Sequence, residues 1–469
     1  MKRTIVTKTI TKVGSQVKIQ GWVHTRRDHG KITFLDIRDR SGLVQVVLTS
    51  KPQASVEDVV EIMGLVKFRP EKLINPNLET GTIEIEASSV TILNSCQTPP
   101  FPLDTDGYMI DEELRLRYRY LDLRRPRLNR ILRLRSKLNQ SFRQALSKHD
   151  FVEIETPILT KSTKEGARDF IVPSRFYPGK FYALPQSPQQ YKQLLMTAGV
   201  ERYYQMARCI RDEDLRSDRG FEFTQLDLEM SFVNQQRVMK TVETIVKKAI
   251  KENGGRLQQE QFPIFTYREA INKFGADKFD LRTQEEKENN ILAFAWVVDF
   301  PFFKTVDKTD QAEVRDGKSG WTFTHNPFSQ PKQEFVKKHM NGQNIDQILT
   351  TQYDLVCNGY EVGGGSIRAH NPDVLRQTFK IMGYSESEIE ASVGHMLTAF
   401  GYGTPPHGGI ALGMDRIVML LAGESSLKET IAFPMSATGK TAVMEAPALV
   451  SPEQLAELGL NTATTNQSR

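Results

Sequence analysis

Length, composition and charge exclude several classes of protein before any motif is considered. The 469 residues are enough for two or three domains with sizeable cores, and 25% charged with 39% hydrophobic residues is typical of a soluble protein. The net charge of +5 is too small to indicate a partner. The first residues, MKRTIVTKTI, lack the apolar core of a signal peptide, and no run of about 18 apolar residues predicts a membrane span.

The cysteines indicate neither a zinc site nor a disulfide framework, because Cys96, Cys209 and Cys357 are isolated and form no CxxC pair. Unpaired cysteines are typical of a reducing compartment, so we expect the protein in the cytoplasm.

The first region, from Gln16 to about Leu93, alternates in short strands separated by turn signals, which predicts a small all-β barrel. Phe34 and Gln45 lie where an oligonucleotide-binding barrel presents its strands, and the basic pair Arg26-Arg27 precedes them. An aromatic ring, an amide and cations are what binding an unpaired base requires. The alternative is that Phe34 belongs to the hydrophobic core.

A linker follows from Cys96 to about Arg125, where clustered prolines and a shift in composition mark a domain boundary. Between Leu114 and Lys137 ten Arg or Lys residues face one acid, Asp122. Such a block suits a polyanion, and a solvated helix face is the alternative. Apolar residues at helical spacing then predict an amphipathic helix from Leu128 to His149.

The stretch from Tyr203 to Phe232 predicts two strands around a loop crowded with charge. Gln225, Asp227 and Glu229 alternate along the second strand, so their side chains share one face. Three polar residues on one face indicate a polar cavity better than an apolar core. An ordinary solvated loop between the strands is the alternative.

Further along, Asp354 and Glu361 are spaced to present oxygens to Mg²⁺, although two acids alone are a weak signal. Arg368 is suited to bidentate pairing with a carboxylate, and Arg416 opens an apolar run where a charge is costly unless it faces a ligand. The sequence ATGKT is not a P-loop, because Pro434 stands where the first glycine is required.

Several of these motifs together resemble one family. RDEDLR followed by EFTQLDLE resembles motif 2 of class II aminoacyl-tRNA synthetases, and of bacterial-type aspartyl-tRNA synthetases in particular. The strand ending at Thr156-Pro157 resembles motif 1, with Pro157 as a simple strand terminator the alternative, and TPPHGGIALGMDRIVMLLAG resembles motif 3. The resemblance implies an α+β protein with an N-terminal five-stranded OB-fold barrel and a class II catalytic domain on an antiparallel sheet flanked by helices.

The resemblance also implies the domain limits. We expect an anticodon-binding OB-fold at residues 1–98, a hinge that touches tRNA at 99–127, a catalytic domain at 128–462 and a flexible tail at 463–469. Bacterial aspartyl enzymes carry a GAD-type insertion domain near residues 283–294, where this chain has only TQEEKENNILAF. Lineage and engineering both remain open as the reason.

The function implied is ATP-dependent activation of L-aspartate to aspartyl-adenylate and transfer to the 3′-hydroxyl of tRNA-Asp. ATP is a substrate, Mg²⁺ the metal and a homodimer the assembly, with no membrane involved. Two alternatives stay open, namely a related enzyme that makes an amide without tRNA and an inactive nucleic-acid-binding protein.

Site residues carry over by their place in the family motifs. The residues implied for catalysis and ATP binding are Arg211, Glu213, Phe223, Asp354, Glu361 and Arg416, with Mg²⁺ on Asp354 and Glu361. Those implied for aspartate are Glu165, Ser187, Gln189, Lys192, Gln225, Asp227, His325 and Arg368, with Lys192 meeting the side-chain carboxylate. Those implied for the anticodon are Arg27, His29, Phe34, Gln45 and Glu84.

Asn326 and His29 lie at positions where members of this family differ from one another. Asn326 stands where bacterial relatives usually have a second histidine beside His325, which removes a titratable group. His29 resembles the residue of aspartyl enzymes that also charge tRNA-Asn, because an imidazole can donate to the O2 of either pyrimidine. The alternative is that His29 is a solvated turn residue.

Overall fold

The structure is a computed structural model that describes residues 1–163, 165–306 and 319–461. The described chain divides into two compact units, one of Met1–Arg115 with Tyr120–Arg125, the other of Leu116–Arg119 with the described residues from Pro126 onward. The domain limits predicted from the sequence stay predictions. The predicted tail at 463–469 lies outside the described residues, as does residue 462, the predicted end of the catalytic domain.

The first unit contains a closed five-stranded barrel in the order β1-β2-β3-β5-β4, as the sequence predicts. Its strands are β1 (Gln16–His29), β2 (Ile32–Arg38), β3 (Leu43–Leu48), β4 (Val59–Phe68) and β5 (Ile83–Asn94). Only β3 and β5 pair in parallel. Alternate apolar side chains such as Ile19, Leu35 and Ile37 fill the interior. Phe34 lies outside this core and half-buried on the outer face, so the core alternative is wrong.

The second unit is built on an eight-stranded sheet in the order β11-β12-β15-β16-β17-β10-β9-β6. Its strands are β6 (Val152–Glu153), β9 (Arg202–Ile210), β10 (Glu222–Ser231), β11 (Ile264–Thr266), β12 (Phe294–Val298), β15 (Gln352–Cys357), β16 (Tyr360–Ile367) and β17 (His407–Gly413). The six inner strands are antiparallel, as predicted, but the two edge strands pair in parallel with their neighbours. Two small sheets pair β7 (Ile171–Pro173) with β8 (Phe181–Ala183) and β13 (Phe303–Thr305) with β14 (Trp321–Phe323).

The α-helices of the described chain are α1 (Glu112–Arg117), α2 (Arg119–Asp122), α3 (Pro126–Ser147), α4 (Gln189–Thr197), α5 (Gln235–Glu252), α6 (Tyr267–Phe274), α7 (Gln284–Glu288), α8 (Val336–Asn341), α9 (Pro372–Ile381), α10 (Glu386–Phe400), α11 (Met414–Ala422) and α12 (Pro452–Glu457). The predicted amphipathic helix is α3, shifted by two residues, since a proline is accepted in a first helical turn. None of the described helices combines the length and apolar character that a membrane crossing requires.

The basic block from Leu114 to Lys137 is only in part the surface that its composition suggested. Within the second unit Arg127 pairs with Glu424 at 2.7 Å and Glu429 at 2.8 Å, and Arg135 pairs with Asp415. Within the first unit the acid of the block, Asp122, is fully buried between two of its arginines. The solvated face is confirmed for the remaining exposed residues, which include Arg130 and Lys137.

The connection near residues 283–294 is short and contains a single helical turn, α7. Thr283 accepts the backbone N–H of Glu286, whose side chain accepts the N–H of Thr283, so that α7 starts in a capping box. The N–H of Leu292 then bonds the carbonyl of Arg256 at 2.9 Å and returns the chain to β12.

Candidate active site

A cavity of about 300 Å³ lies over β10, β16 and β17 in the second unit. It collects residues that are far apart in sequence, from the end of the loop before β7 to α11. The predicted site residues that line it are Glu165, Ser187, Gln189, Lys192, Arg211, Glu213, Phe223, Gln225, Asp227, His325, Glu361, Arg368 and Arg416. Asp354 is not part of the lining, but its Oδ1 lies 3.1 Å from the place of a Cβ at Gly364, which does line the cavity.

Four charged side chains form a buried group at the floor of the cavity. Lys192 on α4 lies 2.6 Å from Asp227 Oδ1 and 3.3 Å from Glu229 Oε2. Arg368 donates from Nε to Glu229 Oε1 at 2.9 Å and from Nη2 to Oε2 at 3.2 Å. None of the four is more than 2% exposed. Two cations therefore balance two carboxylates, all of them almost completely buried. The bidentate pairing expected of Arg368 occurs with Glu229 of the protein itself.

The two carboxylates of this group differ in their electrostatic setting. Burial raises the pKa of Asp227 above its ordinary value. The negative charge of Glu229 raises it further, whereas the neighbouring Lys192 acts in the opposite direction. Burial acts in the same direction on Glu229, but Arg368 and Lys192 together hold its pKa below the ordinary value. Asp227 Oδ2 is buried and has no hydrogen-bond partner among the described residues. An acceptor in this state favours a donor supplied from the cavity.

A glycine in the neighbouring strand makes this group possible. Gly409 of β17 pairs with Glu229 in the sheet register, and a Cβ at Gly409 would lie 2.2 Å from Glu229 Oε2. It would also lie 2.0 Å from the carbonyl oxygen of Leu228. Only the absence of a side chain lets the carboxylate lie across the strand towards Arg368.

Glu165, Ser187 and Gln189 line the cavity near this group. Ser187 Oγ donates to Glu165 Oε2 at 2.6 Å, and burial raises the pKa of Glu165. Gln189 is held from behind, since its Nε2 donates to Gln193 Oε1 at 2.9 Å. On β10, Gln225 accepts from the thiol of Cys209 at 3.3 Å. The three alternating polar residues of β10 thus share one face, as the strand period predicts.

Arg211 differs from the other cations of the cavity. The cations that line it are Lys192, Arg211, Arg219, Lys278, Arg368 and Arg416. Five pair with carboxylates, among them Arg219 with Glu213 at 3.3 Å and Arg416 with Asp218 at 3.1 Å. In the described part of the chain Arg211 has no carboxylate within ion-pair distance. It donates to the carbonyl of Gln186 at 3.1 Å, and its guanidinium lies 5.0 Å from the ring centroid of Phe223.

Asp354 and Glu361 lie on either side of a bare stretch of β16. A Cβ at Gly364 would lie 3.1 Å from Asp354 Oδ1 and 3.2 Å from Glu361 Oε1, so both oxygens border the same small space. Burial, together with the charge of Glu361, raises the pKa of Asp354 well above its ordinary value. Burial acts likewise on Glu361, but Lys278 at 2.8 Å and His325 lower its pKa to about 2.

The donor set here fits Mg²⁺ and not a fully protein-bound metal. In the described ranges no group of three or more metal-ligating side chains occurs. Two carboxylates with room beside them suit Mg²⁺, which takes one or two carboxylates and completes its shell with phosphate oxygens and water.

The His325-Asn326 pair adjoins Asp354. His325 Nδ1 is 3.6 Å from Asp354 Oδ2, and burial lowers the pKa of the imidazole. Asn326 donates to Gln352 Oε1 at 3.3 Å, and Gln352 donates to Asp354 Oδ1 at 2.7 Å. The asparagine therefore supports the Asp354 carboxylate through an amide.

No ligand-binding or catalytic role was predicted for Glu229, Lys278 or Gln352, although Glu229 was placed on the polar face of its strand. Glu229 carried a usable signal, because it continues the alternation of Gln225 and Asp227. Gln352 carried the same signal, because it lies two residues before Asp354 on β15 and so shares its face. Lys278 carried none, since its partner is 83 residues away.

The residues predicted to bind the anticodon lie together on the outer face of the barrel in the first unit. Gln45 Nε2 donates to Glu84 Oε2 at 3.0 Å, and Arg27 lies opposite Phe34 in the β1–β2 register. His29 ends β1, and its ring meets that of Phe34 edge to face with centroids 5.8 Å apart.

Comparison with known protein families shows to which family the chain belongs. Residues 111–437 match the family described as tRNA synthetases class II (D, K and N), and residues 17–93 match the OB-fold nucleic acid binding domain. The first match covers more than half of the chain. The chain therefore belongs to the class II tRNA synthetases.

Similar individual proteins identify a narrower group within this family. The chain is 37% identical to the aspartate–tRNA ligase of Staphylococcus carnosus over 98% of this chain and 99% of that protein. It is 39% identical to the aspartate–tRNA(Asp/Asn) ligase of Corynebacterium jeikeium over 96% of each. Within its class, the chain belongs to the aspartate–tRNA ligases. The alignment with the S. carnosus protein spans 585 positions, more than the chain contains, so the relative has residues without a counterpart here.

Among solved structures, the asparaginyl-tRNA synthetase of Pyrococcus horikoshii complexed with asparaginyl-adenylate is similar with a TM-score of 0.73. The match covers 92% of this chain and 98% of that chain at 22% identity, which is evidence for the shared fold.

The buried charge group yields a stability prediction. We expect Glu229→Gln to lower the free energy of unfolding by about 3 kcal/mol or more, because two buried cations then face a single carboxylate. Glu222→Gln is the control on the same strand, since the Glu222–Arg208 pair is about half exposed. That exposed pair should contribute at most about 1 kcal/mol. Urea unfolding measures both, and equal losses in the two variants would contradict the assignment.

Proposed function

We propose that the chain activates L-aspartate with ATP and transfers it to the 3′-terminal adenosine of tRNA-Asp. The observation that carries the proposal is Arg211, the guanidinium of the cavity without a carboxylate partner in the described chain, next to the aromatic face of Phe223. A free cation beside an aromatic ring suits the α-phosphate and the adenine of a nucleotide.

In the first step the α-carboxylate of aspartate attacks the α-phosphorus of ATP in line, and pyrophosphate leaves. The carboxylate is ionised at neutral pH, so the step needs no general base. Arg211 stabilises the charge that develops on the α-phosphate, and Phe223 stacks on the adenine. Lys192 and Arg368, held by Asp227 and Glu229, face the side-chain carboxylate of the substrate.

The leaving group also needs positive charge. Arg416, oriented by Asp218 and the carbonyl of Glu361 at 2.8 Å, holds the pyrophosphate. When bound at Asp354 and Glu361, Mg²⁺ neutralises and orients the phosphates. In the second step the ribose 3′-hydroxyl attacks the carbonyl carbon of the adenylate, which forms the ester and releases AMP.

Aspartate-dependent exchange between ATP and pyrophosphate tests the first step. We expect Arg211→Ala to lower its rate about 10²-fold or more, because the variant removes charge stabilisation made in the transition state. The control is Arg208→Ala on β9, three residues before Arg211, whose side chain is 49% exposed and pairs with Glu222. Its rate should stay within a factor of about two, since exposed pairs contribute little. Near-wild-type exchange in Arg211→Ala would show that the residue is misplaced.

The exchange reaction and a tRNA charging assay together distinguish the proposed function from the two alternative functions. A related enzyme that makes an amide would show the exchange but leave tRNA uncharged, and an inactive nucleic-acid-binding protein would show neither. The proposal includes a cytoplasmic location, which the family and the unpaired cysteines support.

The proposed assembly is a homodimer through the motif 1 segment. It is supported by exposed apolar side chains around that segment, with Val152 at 53%, Ile158 at 45% and Leu159 at 53% exposure. We expect sedimentation velocity at micromolar concentration to give a dimer, and Leu159→Glu to give a monomer because it places charge in the interface. A wild-type protein that sediments only as a monomer would contradict this.

Relaxed choice between tRNA-Asp and tRNA-Asn is the last part of the proposal. The two anticodons differ only at the third base, C against U. His29 lies exposed beside Phe34 at the end of β1, where its imidazole can donate to either base. Relatives carry both kinds of name, with and without tRNA-Asn.

We expect kcat/KM for the two transcripts to differ by less than about a hundredfold, or about 2.7 kcal/mol. His29→Leu should widen the preference for tRNA-Asp, since an apolar side chain leaves a base edge unpaired. Lys31→Leu in the same turn is the control and should weaken both tRNAs equally, as loss of a phosphate contact does. An unchanged ratio in His29→Leu would place the choice elsewhere.

A further inference from the structure

Lys278 lines the cavity but has no part in the reaction described above. Lys278 lies between α6 and α7, and its ammonium is 2.8 Å from Glu361 Oε2. Glu361 is one of the two carboxylates that border the space over Gly364. A positive charge is therefore already present on the carboxylate pair that fits Mg²⁺.

The backbone next to Lys278 is held by contacts of Phe279, whereas the Lys278 side chain is partly exposed to solvent. Phe279 is 6% exposed and stacks on Phe274 with ring centroids 4.1 Å apart. Its carbonyl accepts the N–H of Gly359 at 2.9 Å. The Lys278 side chain, in contrast, is 45% exposed. A lysine head on a flexible four-carbon stem can thus change partner while its Cα stays in place.

The space over Gly364 borders Glu361 Oε1, whereas the Lys278 ammonium lies on Oε2. A divalent ion on Oε1 would lie a few ångströms from the ammonium, and the repulsion between two cations at that separation favours departure of the lysine. A nucleoside triphosphate would bring negative charge to the same place, because Mg²⁺ sites in proteins commonly combine one or two carboxylates with substrate phosphates. Arg416, which bonds the carbonyl of Glu361 at 2.8 Å, already lies on the same side of the cavity.

We propose that Lys278 neutralises Glu361 in the free enzyme and moves its ammonium to the β- and γ-phosphates of the nucleotide when Mg²⁺ binds. The inference rests on the proposed function, because it assumes a nucleoside triphosphate as substrate. Lys278 is then a pyrophosphate-binding residue beside Arg416, and it also delays the binding of free metal until the nucleotide arrives.

Lys278→Met tests both halves with effects of opposite sign. Without nucleotide, Mn²⁺ should bind the variant about tenfold more tightly than wild type, because its competitor is gone; electron paramagnetic resonance of free Mn²⁺ measures this. The KM for pyrophosphate in the exchange reaction should rise about tenfold, because a charged contact is lost. Lys278→Arg keeps the charge and should retain most of the pyrophosphate affinity.

The matched control is Lys287→Met, since Lys287 is 46% exposed and lies 3.9 Å from Asp280, away from the carboxylate pair. It should change neither quantity. Unchanged Mn²⁺ binding in Lys278→Met, an unchanged KM for pyrophosphate, or weakening of both would each overturn the inference. If wild type lacks aspartate-dependent exchange, the proposed function fails, and the Mn²⁺ measurement still reports separately on Lys278 and Glu361.

Discussion

Burial of two cations and two carboxylates under the cavity is the constraint on which the rest of the site depends. Lys192, Asp227, Glu229 and Arg368 come from α4, β10 and the end of β16, and none of them can be removed singly without leaving a buried charge. The group therefore fixes the position of α4 against the sheet. It also explains why β17 has a glycine where Glu229 crosses it.

The part of the cavity around Arg416 and Glu361 is built differently. Here the paired side chains are partly exposed, as in Arg416 with Asp218 and Lys278 with Glu361. Under the proposed function, the buried group suits recognition of one small amino acid because its contacts are fixed. The partly exposed pairs suit phosphates and a metal ion, which would replace contacts that the free protein makes internally.

Strand periodicity and family motifs predicted much of this arrangement. The shared face of Gln225 and Asp227 follows from a period of two, and the family motifs placed Lys192 and Asp227 in the same site. The pairing of Glu229 with Arg368 could not be predicted, because it joins residues 139 apart that meet only through strand order. The basic block misled for the same reason, since the acids that bind Arg127 and Arg135 lie about 280 to 300 residues further along the chain.

Among the described residues six cations line the cavity and five of them pair with carboxylates, which also affects which anions the site excludes. Chloride and orthophosphate are abundant in any cell, and a cavity of free arginines would bind them. Here a simple anion must compete with a carboxylate already in place, and it brings no countercharge to that carboxylate. Under the proposed function, a metal-bound nucleotide would supply a cation for the displaced carboxylate as well as an anion for the released lysine or arginine. Internal pairing would thus disfavour the binding of small anions and keep the site available.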